Sequence, residues 1–142
     1  MRFTLKAKTH SLRGKIKLPG SKSISNRALI INALAARSFE IQNLSEADDT
    51  MMLKKALERN DLITDVGPAG TAMRFLTAYY AITPGVHVLT GSERMKQRPI
   101  SILVEALRKL GARITYLEKD GYPPIHIEGR RLNGGTIDID GN

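Results

Sequence analysis

The order of hydrophobic and polar residues predicts helices and strands that alternate along the chain. Apolar residues at helical spacing predict helices over residues 22–36, 48–60, 71–82 and 99–110. Alternating segments predict strands over residues 3–8, 14–18, 39–43, 86–90, 113–118, 124–128 and 135–140, with a turn-rich stretch before Gly70. This order, with paired strands after the last helix, predicts an α/β or α+β layered domain in which helices pack on sheets.

Residues that favour helix termini support these boundaries. Asp48 can cap the second helix, Pro99 suits the first turn of the fourth, and Gly111 suits the position just past its end. The neighbouring carboxylates Asp48 and Asp49 could form an acid pair. Their place at a helix N-terminus explains them more simply, because negative charge is favourable there.

The composition limits the class of protein. The chain has 142 residues, of which 42% are hydrophobic, and this is enough for one domain with a core. It has no cysteine, which excludes disulfides and thiolate zinc sites, and its histidines at positions 10, 87 and 126 have no metal-binding spacing. No apolar stretch approaches the ~20 residues that cross a bilayer. We therefore expect a soluble, cytoplasmic protein with no metal, cofactor or membrane partner.

The chain is strongly basic. Lysine and arginine outnumber aspartate and glutamate by 22 to 14, which gives a formal net charge of +8, and no acidic residue precedes Glu40. This balance indicates an anionic partner, which could be a nucleic acid, an anionic lipid or a small acidic metabolite. An acid-free start is also found in organelle transit peptides, but the alternation in RFTLKAKTH favours strands instead.

The stretch PGSKSISNR, residues 19–27, places cations and hydroxyls at the start of the first helix. At about 100° per residue, Lys22, Ser23, Asn26 and Arg27 share one face, and the helix beyond them is apolar nearly all round. First-turn N–H groups bind anions, and a lysine and an arginine beside them suit a phosphate or carboxylate. The motif therefore predicts a polar mouth that opens on a cavity above a buried helix body. A serine-capped helix start with solvated cations is the alternative.

Two further stretches could contribute to an anion site. Residues 67–70, Gly-Pro-Ala-Gly, lead into the third helix, and their small side chains let a ligand approach the backbone. Three cations, Arg94, Lys96 and Arg98, follow a predicted strand, at the sheet edge where α/β proteins usually bind ligands. A tight turn and a solvated basic loop are the respective alternatives.

Taken together, three segments resemble the 5-enolpyruvylshikimate-3-phosphate synthase family. They are LPGSKSISNRALI, GPAGTAMRFLTA and ERMKQRPISILVEALRKLGARI, in the order found in the family, and YPPIHIEG and GGTIDIDGN also match. The resemblance implies an enolpyruvate transferase fold with two lobes, each built from three βαβαββ units, of which this chain has the first third. It also implies transfer of the enolpyruvyl group of phosphoenolpyruvate to shikimate 3-phosphate, with release of phosphate, in aromatic amino-acid biosynthesis.

The resemblance also implies roles for individual residues. Lys22 matches the lysine that touches both substrates, and it is the catalytic residue that this chain offers. Ser23 and Arg27 match residues that hold the shikimate portion, and Gly70 and Arg94 match positions that bind phosphoenolpyruvate. The substrates are thus expected to be small anionic metabolites, with no cofactor or metal.

Some features depart from the family pattern. Pro68 stands where the family usually has asparagine, Phe75 replaces a usual proline, and residues 59–66 are too few for the strand pair of many members. These departures make the substrate position near Gly70 less certain than the position near Lys22.

The resemblance assigns residues 1–19 to strands of the other, C-terminal lobe and residues 20–142 to an incomplete N-terminal, substrate-binding lobe. The final segment, GGTIDIDGN, reads as a strand with nothing after it to pair, so we expect the chain to be the N-terminal piece of a longer polypeptide. Such a piece is expected to be inactive alone and to self-associate.

A folded, catalytically inert protein and a basic nucleic-acid-binding module are the alternatives, although only 5% of the residues are aromatic and no nucleic-acid recognition motif occurs.

Overall fold

Helices and strands alternate in the computed structural model, which describes residues 2–4, 6, 11, 13–59 and 61–139. The elements are α1 (Lys22–Leu34), α2 (Asp48–Arg59), β1 (Ile63–Asp65), α3 (Gly70–Ile82), β2 (Gly85–Thr90), α4 (Glu93–Lys96), α5 (Ser101–Lys109), β3 (Arg113–Tyr116) and β4 (Ile125–Gly129). The four predicted helices correspond to α1, α2, α3 and α5, and each predicted boundary lies within two residues of the observed one.

The four strands form one mixed sheet in the order β1-β2-β4-β3. Strands β1 and β2 are parallel and are connected by α3, whereas β4 is antiparallel to both β2 and β3. The run β1-α3-β2-α5-β3-β4 is therefore one βαβαββ unit, which is the unit that the resemblance implies. The predicted mixture of helices packed on a sheet is confirmed.

Helix α3 is the central helix of the core. Ala72, Met73, Leu76 and Tyr80 are at most 1% exposed. They are buried because α3 contacts β2 and β4 of the sheet as well as α1, α2 and α5. A helix that is covered from several directions is apolar on most of its faces, as the sequence of α3 is. The helix begins at Gly70, so its N-terminus lies where β1 and β2 end.

Helix α1 is less buried than its apolar sequence predicts. Of its residues, Ser25, Asn26 and Leu29 are buried, whereas Ile31 and Leu34 are 58% and 56% exposed. The helix packs with one face on α2 and α3, and its opposite face is uncovered within the described part of the chain. The prediction of a buried helix body is therefore wrong.

The start of α1 is fixed by the loop that leads to α2. The backbone N–H of Ser45 donates to the Ser25 hydroxyl at 2.9 Å, and Ser25 is buried. A Cβ atom at Gly20 would overlap the carbonyl oxygen of Asn43, so the chain can approach this loop only without a side chain at position 20. Glycine and serine in PGSKSISNR therefore hold the N-termini of α1 and α2 together.

Several predicted strands are wrong. Residues 14–18, 39–43 and 135–139 form no strand. Within the predicted strand 3–8, residues 5, 7 and 8 lie outside the described residues, as does residue 140, and residues 3, 4 and 6 are not in a strand. Asn43 has a φ of 54°, which an extended strand does not accommodate, and residues 14–18 have no neighbouring strand among the described residues.

Two short elements fall outside the predictions, and the helix termini differ in detail. The three-residue strand β1 lies in the stretch predicted to be turn-rich, and α4 lies in the predicted basic loop. Asp48 is the first residue of α2 rather than its cap, and Pro99 precedes the N-cap of α5, Ile100. Gly111 follows the C-cap of α5 with a φ of 99°, as predicted for a residue just past a helix end.

Candidate substrate-binding site

Two cavities lie side by side at the N-terminal end of α3. The first, of about 420 Å³, is lined by Lys22, Gly70 and Arg98 together with Asp49, and we call it the Lys22 cavity. The second, of about 430 Å³, is lined by Arg94 and we call it the Arg94 cavity. Arg98 and Pro68 line both cavities. The structure thus brings Lys22, Gly70 and Arg94, which are far apart in sequence, to one region.

The parallel pairing of β1 and β2 positions the two loops of this region. Because the strands are parallel, their carboxyl ends meet at one edge of the sheet, and residues 67–70 and 91–98 follow there. The backbone N–H of Ser92 donates to the Gly67 carbonyl oxygen at 3.0 Å, and the Gly67 N–H donates to the Asp65 carboxylate at 2.7 Å. The first bond holds the two loops together, and the second fixes the turn that follows β1.

The ammonium group of Lys22 faces the carboxylate of Asp49. The Nζ–Oδ2 distance is 3.6 Å, and the side chains are 49% and 24% exposed. An ion pair this exposed contributes at most about 1 kcal/mol, so its main effect is to direct Lys22 toward the cavity. Sequence reasoning gave Asp49 only a helix-terminal role, because no sequence spacing signals that α1 and α2 begin side by side.

The three cations after β2 differ in their partners. Lys96 lies 3.2 Å from the Glu118 carboxylate and 3.4 Å from that of Glu93. The hydrogen bond to Glu118 raises the pKa of Lys96. Arg94 and Arg98 line the cavities instead, and their guanidinium groups make no hydrogen bond or ion pair within the described ranges. Two of the three predicted cations are therefore available to a ligand.

The polar residues at the start of α1 differ in burial, although α1 is the regular helix on which their shared face was predicted. Asn26 is fully buried, and its Nδ2 and Oδ1 atoms lack hydrogen-bond partners among the described residues. Ser23 is exposed and lines neither the Lys22 cavity nor the Arg94 cavity, and its carbonyl oxygen accepts from Arg27 Nη1 at 3.1 Å. Asn26 therefore does not contribute to the polar mouth, whereas the side chains of Lys22, Ser23 and Arg27 remain exposed.

Arg27 lies at a third cavity of different character. This cavity, of about 310 Å³, runs between α1 and α3, and we call it the apolar groove; its lining includes Ile31, Leu34, Phe75 and Ile82. Phe75 also lines the Lys22 cavity, so the two cavities share this residue. Arg27 therefore lines the apolar groove and not the Lys22 cavity.

Comparison with known proteins identifies the family. A family model described as EPSP synthase (3-phosphoshikimate 1-carboxyvinyltransferase) matches residues 6–59 and 52–142. The chain belongs to the EPSP synthase family. Within the described part of this family member, no helix could span a membrane, and no three potential ligands of the His, Cys, Asp and Glu types cluster for a metal ion.

Curated relatives match the chain along its length. It is 54% identical over all of its 142 residues to a 3-phosphoshikimate 1-carboxyvinyltransferase of Bacteroides fragilis strain YCH46. It is 45% identical, over 92% of its length, to the protein of the same name from Sulfurovum sp. strain NBC37-1. The chain spans only 34% and 37% of these relatives, which is about a third of their length.

Solved structures share the fold. Two structures of EPSP synthase from Acinetobacter baumannii match with TM-scores of 0.76 and 0.69, each at 24% identity. The matches cover 89% and 82% of this chain and 34% and 32% of those chains. The arrangement of helices and strands described above is therefore that of one part of the EPSP synthase fold.

Two of the departures from the family pattern, Pro68 and Phe75, line the site. Pro68 borders both cavities, and its ring nitrogen carries no N–H that could donate to a ligand. Phe75 lies one turn into α3 and lines both the Lys22 cavity and the apolar groove. Backbone donors near Gly70 must therefore come from α3 itself rather than from position 68.

Proposed function

We propose that this chain forms the N-terminal third of an enzyme that transfers the enolpyruvyl group of phosphoenolpyruvate to shikimate 3-phosphate. One observation supports this proposal most directly. Two adjoining cavities are lined by Lys22, Gly70 and Arg94, in a chain that belongs to the EPSP synthase family. Both proposed substrates carry phosphate and carboxylate groups, which suit cations next to a helix N-terminus.

The proposed reaction is an addition followed by an elimination. The 5-hydroxyl oxygen of shikimate 3-phosphate bonds to C2 of phosphoenolpyruvate, the hydroxyl loses its proton, and C3 gains one. The bond from C2 to the phosphate oxygen then breaks, inorganic phosphate leaves, and C3 loses a proton to restore the double bond. Cations beside the phosphate stabilise the charge that develops as it leaves.

Each proposed site residue has a role that its position supports. Lys22 is the proposed catalytic residue because an ammonium group can both bind anionic oxygens and exchange a proton, whereas a guanidinium group stays protonated. Gly70 and Arg94 bind phosphoenolpyruvate. Ser23 and Arg27, on the exposed side of α1, hold the shikimate portion, and Arg27 suits its carboxylate.

The proposed domain division assigns residues 1–19 to the other lobe and residues 20–142 to an incomplete N-terminal lobe. The exposure of apolar side chains before α1 supports it, because Ile16 and Leu18 are 88% and 74% exposed. The apolar groove supports it as well, since Ile31 and Leu34 lie along an uncovered helix face. A cysteine-free chain that acts on phosphorylated metabolites also fits the cytoplasm.

An assay of phosphate release tests the proposed activity. The complete protein that carries residues 1–142 should release phosphate only when both phosphoenolpyruvate and shikimate 3-phosphate are present. The 142-residue chain alone should release none above a blank, because the opposite wall of the cleft is missing. Turnover by the chain alone contradicts the division into lobes, and a salt-sensitive shift of nucleic acid without phosphate release supports the nucleic-acid-binding alternative.

We also propose that the 142-residue chain self-associates when it is isolated. Its uncovered apolar surface includes the apolar groove, and burial of such surface drives association. Light scattering should show species larger than a monomer, and replacing Ile31 and Leu34 with glutamine should return the chain to monomers. A compact monomer of the unaltered chain at high concentration contradicts this proposal.

A further inference from the structure

Helix α4 is a single turn that carries one cation of the candidate site. Arg94 lies within this four-residue helix and lines the Arg94 cavity. A helix of one turn is not stable by itself, because helix nucleation is unfavourable. The orientation of α4, and with it the direction in which Arg94 points, must therefore be set by contacts with other parts of the chain.

The core and the loop before α3 hold two sides of α4. Met95 is 1% exposed, so its side chain anchors the helix in the core. Ser92, the N-cap of α4, accepts a hydrogen bond from the Met95 N–H with its hydroxyl, and it donates its backbone N–H to the Gly67 carbonyl oxygen. At about 100° per residue, Met95 projects about 100° away from Arg94 around the helix. These contacts leave the side of α4 that lies beyond Met95 to be held by another element.

Lys96 connects that side of α4 to the loop between β3 and β4. It is two residues after Arg94, about 200° around the helix, so the two cations project in nearly opposite directions. The Lys96 Nζ atom lies 3.2 Å from the Glu118 carboxylate of this loop. The loop is itself bonded to the N-terminus of α5, because the Ile100 N–H donates to the Gly121 carbonyl oxygen at 2.9 Å. Glu118 thus belongs to a loop that has its own anchor on the rest of the chain.

Two carboxylates pair with Lys96, and they differ in what they connect. Glu93 is the first residue of α4, its carboxylate lies 3.4 Å from Lys96 Nζ, and its side chain is 87% exposed. An ion pair between residues three apart lies on one helix and moves with it. The pair with Glu118 instead joins α4 to a different element. Glu118 can therefore fix the orientation of α4, whereas Glu93 cannot.

We propose that Glu118 is a positioning residue of the candidate site, which acts through Lys96 to hold α4 in the orientation that directs Arg94 at the Arg94 cavity. Glu118 lines neither the Lys22 cavity nor the Arg94 cavity, so it acts without touching substrate. The inference rests on the proposed function, because it takes Arg94 as a residue that binds phosphoenolpyruvate. It gives the ion pair between Lys96 and Glu118 a role in binding.

Glu118→Gln in the complete protein tests this role, because it removes the charge and keeps the size of the side chain. The orientation of α4 that suits binding should become less populated, and the apparent affinity for phosphoenolpyruvate should fall by the same fraction. An exposed ion pair shifts such an equilibrium by at most about fivefold, so the Michaelis constant for phosphoenolpyruvate should rise by about three- to fivefold. The Michaelis constant for shikimate 3-phosphate should not change, because its proposed ligands Ser23 and Arg27 lie on α1.

Glu93→Gln is the matched control. It removes the same charge from the same lysine but leaves the connection to Glu118 in place, so the Michaelis constant for phosphoenolpyruvate should change by less than about 1.5-fold. Lys96→Gln combined with Glu118→Gln should raise this constant no further than the larger of the two single changes, since both remove one connection. Losses that multiply in the double variant overturn the pairing.

The direction of the change separates positioning from simple neutralisation of charge. If Glu118 only neutralised Lys96, Glu118→Gln would free a cation near Arg94, and the Michaelis constant for phosphoenolpyruvate would fall. A fall, no change, or an equal rise in Glu93→Gln overturns the proposal. Glu118→Asp keeps the charge on a shorter side chain and should give a value between those of the unaltered protein and Glu118→Gln. A value above that of Glu118→Gln would show that the charge is not what matters.

The outcomes also separate this inference from the proposed function. If the unaltered complete protein releases no phosphate with both substrates, the proposed function fails and this inference fails with it. If the unaltered protein is active and Glu118→Gln has the same Michaelis constants, the inference alone is overturned. A general loss of folding would lower kcat and leave the two Michaelis constants in their original ratio, whereas lost positioning changes that ratio. Thermal unfolding midpoints of the variants provide the same distinction independently.

Discussion

The two ends of α3 each place a glycine against a neighbouring part of the chain, and the neighbours differ in kind. At the N-terminal end, Gly70 lies under the Arg98 guanidinium, which is the far end of a flexible side chain. At the C-terminal end, Gly129 of β4 faces the backbone, and a Cβ atom there would overlap the carbonyl oxygens of Thr83 and Tyr80. A side chain can move aside at little cost, but a helix backbone cannot.

This difference separates a glycine at the proposed ligand site from a glycine that packs within the fold. The N-terminal end of α3 borders two cavities lined by cations, and only some of these cations have an acidic partner. The C-terminal end is closed: Arg130 donates its backbone N–H to the Ala81 carbonyl oxygen, and the Tyr80 and His87 rings stack with centroids 4.1 Å apart. We therefore expect changes at the first end to alter binding and changes at the second to alter stability.

The largest expected effect comes from comparing alanine at the two glycines. Gly129→Ala should lower the free energy of unfolding by about 3 kcal/mol, because the added methyl group forces β4 away from α3. Gly70→Ala should lower it by less than about 1 kcal/mol, because Arg98 can move. Thermal unfolding of both variants measures the difference, which corresponds to roughly 10 °C in midpoint. Equal destabilisation would show that the two ends of α3 are packed alike, which contradicts the proposed difference between Gly70 and Gly129.

Removing the Lys22 charge tests the N-terminal end for binding rather than stability. Lys22→Met in the complete protein should lower kcat and substrate affinity by about 10- to 150-fold, because a charge-assisted hydrogen bond in a closed site contributes about 1.5–3 kcal/mol. Lys109→Met is the control, since Lys109 is exposed in the last turn of α5. It removes the same formal charge and should change neither quantity by more than about twofold.

Steady-state kinetics with both substrates measures these effects. Equal losses in the two lysine variants would mean that general attraction between a basic protein and anionic substrates explains binding, and the cavity at the α3 N-terminus would lose its special role. Unchanged activity in both would contradict the assignment of Lys22 altogether.

The N-terminal end of α3 could be predicted from sequence only in part. Local patterns, glycine before a helix and cations after a strand, indicate residues 67–70 and three cations, but the choice of Gly70 and Arg94 among them comes from the resemblance to the family. The distinction between Lys96 and Arg98 could not be drawn, because it depends on Glu118, which lies 22 residues from Lys96 along the chain. A sequence shows that several cations lie close together, but the carboxylates that pair with some of them belong to other parts of the chain.

The start of α1 shows the same limit. A helical wheel gives the angle between Lys22 and Asn26, but it does not say which neighbour covers which angle. The loop that includes Ser45 bonds to Ser25, and Asn26 beside it is buried while Lys22 stays at a cavity. The strand β1 was missed for a related reason, since three residues are too few for an alternating pattern to be recognised.

A smaller effect is expected from the buried hydroxyl pair near the C-terminal end of α3. Tyr80 is fully buried, and its hydroxyl lies 3.1 Å from the Thr64 hydroxyl of β1. Tyr80→Phe should lower the free energy of unfolding by about 1–2 kcal/mol, because it leaves the Thr64 oxygen without a partner. Chemical denaturation measures this loss.

Two further variants sharpen this result. Tyr79→Phe removes a hydroxyl from the half-buried neighbouring ring and should have an effect within about 0.5 kcal/mol. Combining Tyr80→Phe with Thr64→Val should recover part of the stability, because no polar atom is then left unpaired. A double variant less stable than Tyr80→Phe would show that the hydrogen bond is not the source of the effect.

The smallest expected effect is a pH dependence of stability that originates at His87. The side chain is 3% exposed, and neither ring nitrogen makes a hydrogen bond of normal geometry to the described residues. Burial lowers the pKa of His87 below 6.5, and the Thr83 backbone offsets part of this shift. Well above pH 6.5 the imidazole is neutral in both folded and unfolded chains, so it adds no pH dependence there.

Below pH 6.5 the unfolded chain binds a proton at His87 that the folded chain does not. The free energy of unfolding should therefore fall as pH decreases from 6.5 toward the folded-state pKa, by at most about 1.4 kcal/mol per pH unit for one proton. His87→Phe keeps a ring beside Tyr80 but cannot titrate, so its stability should fall less steeply over this interval. Chemical denaturation of both proteins between pH 5 and about 7.5 compares the slopes, since the other histidines contribute equally to each. Identical slopes would mean that His87 is protonated as readily in the folded chain as in the unfolded one, and that the C-terminal end of α3 is more open to water than its packing indicates.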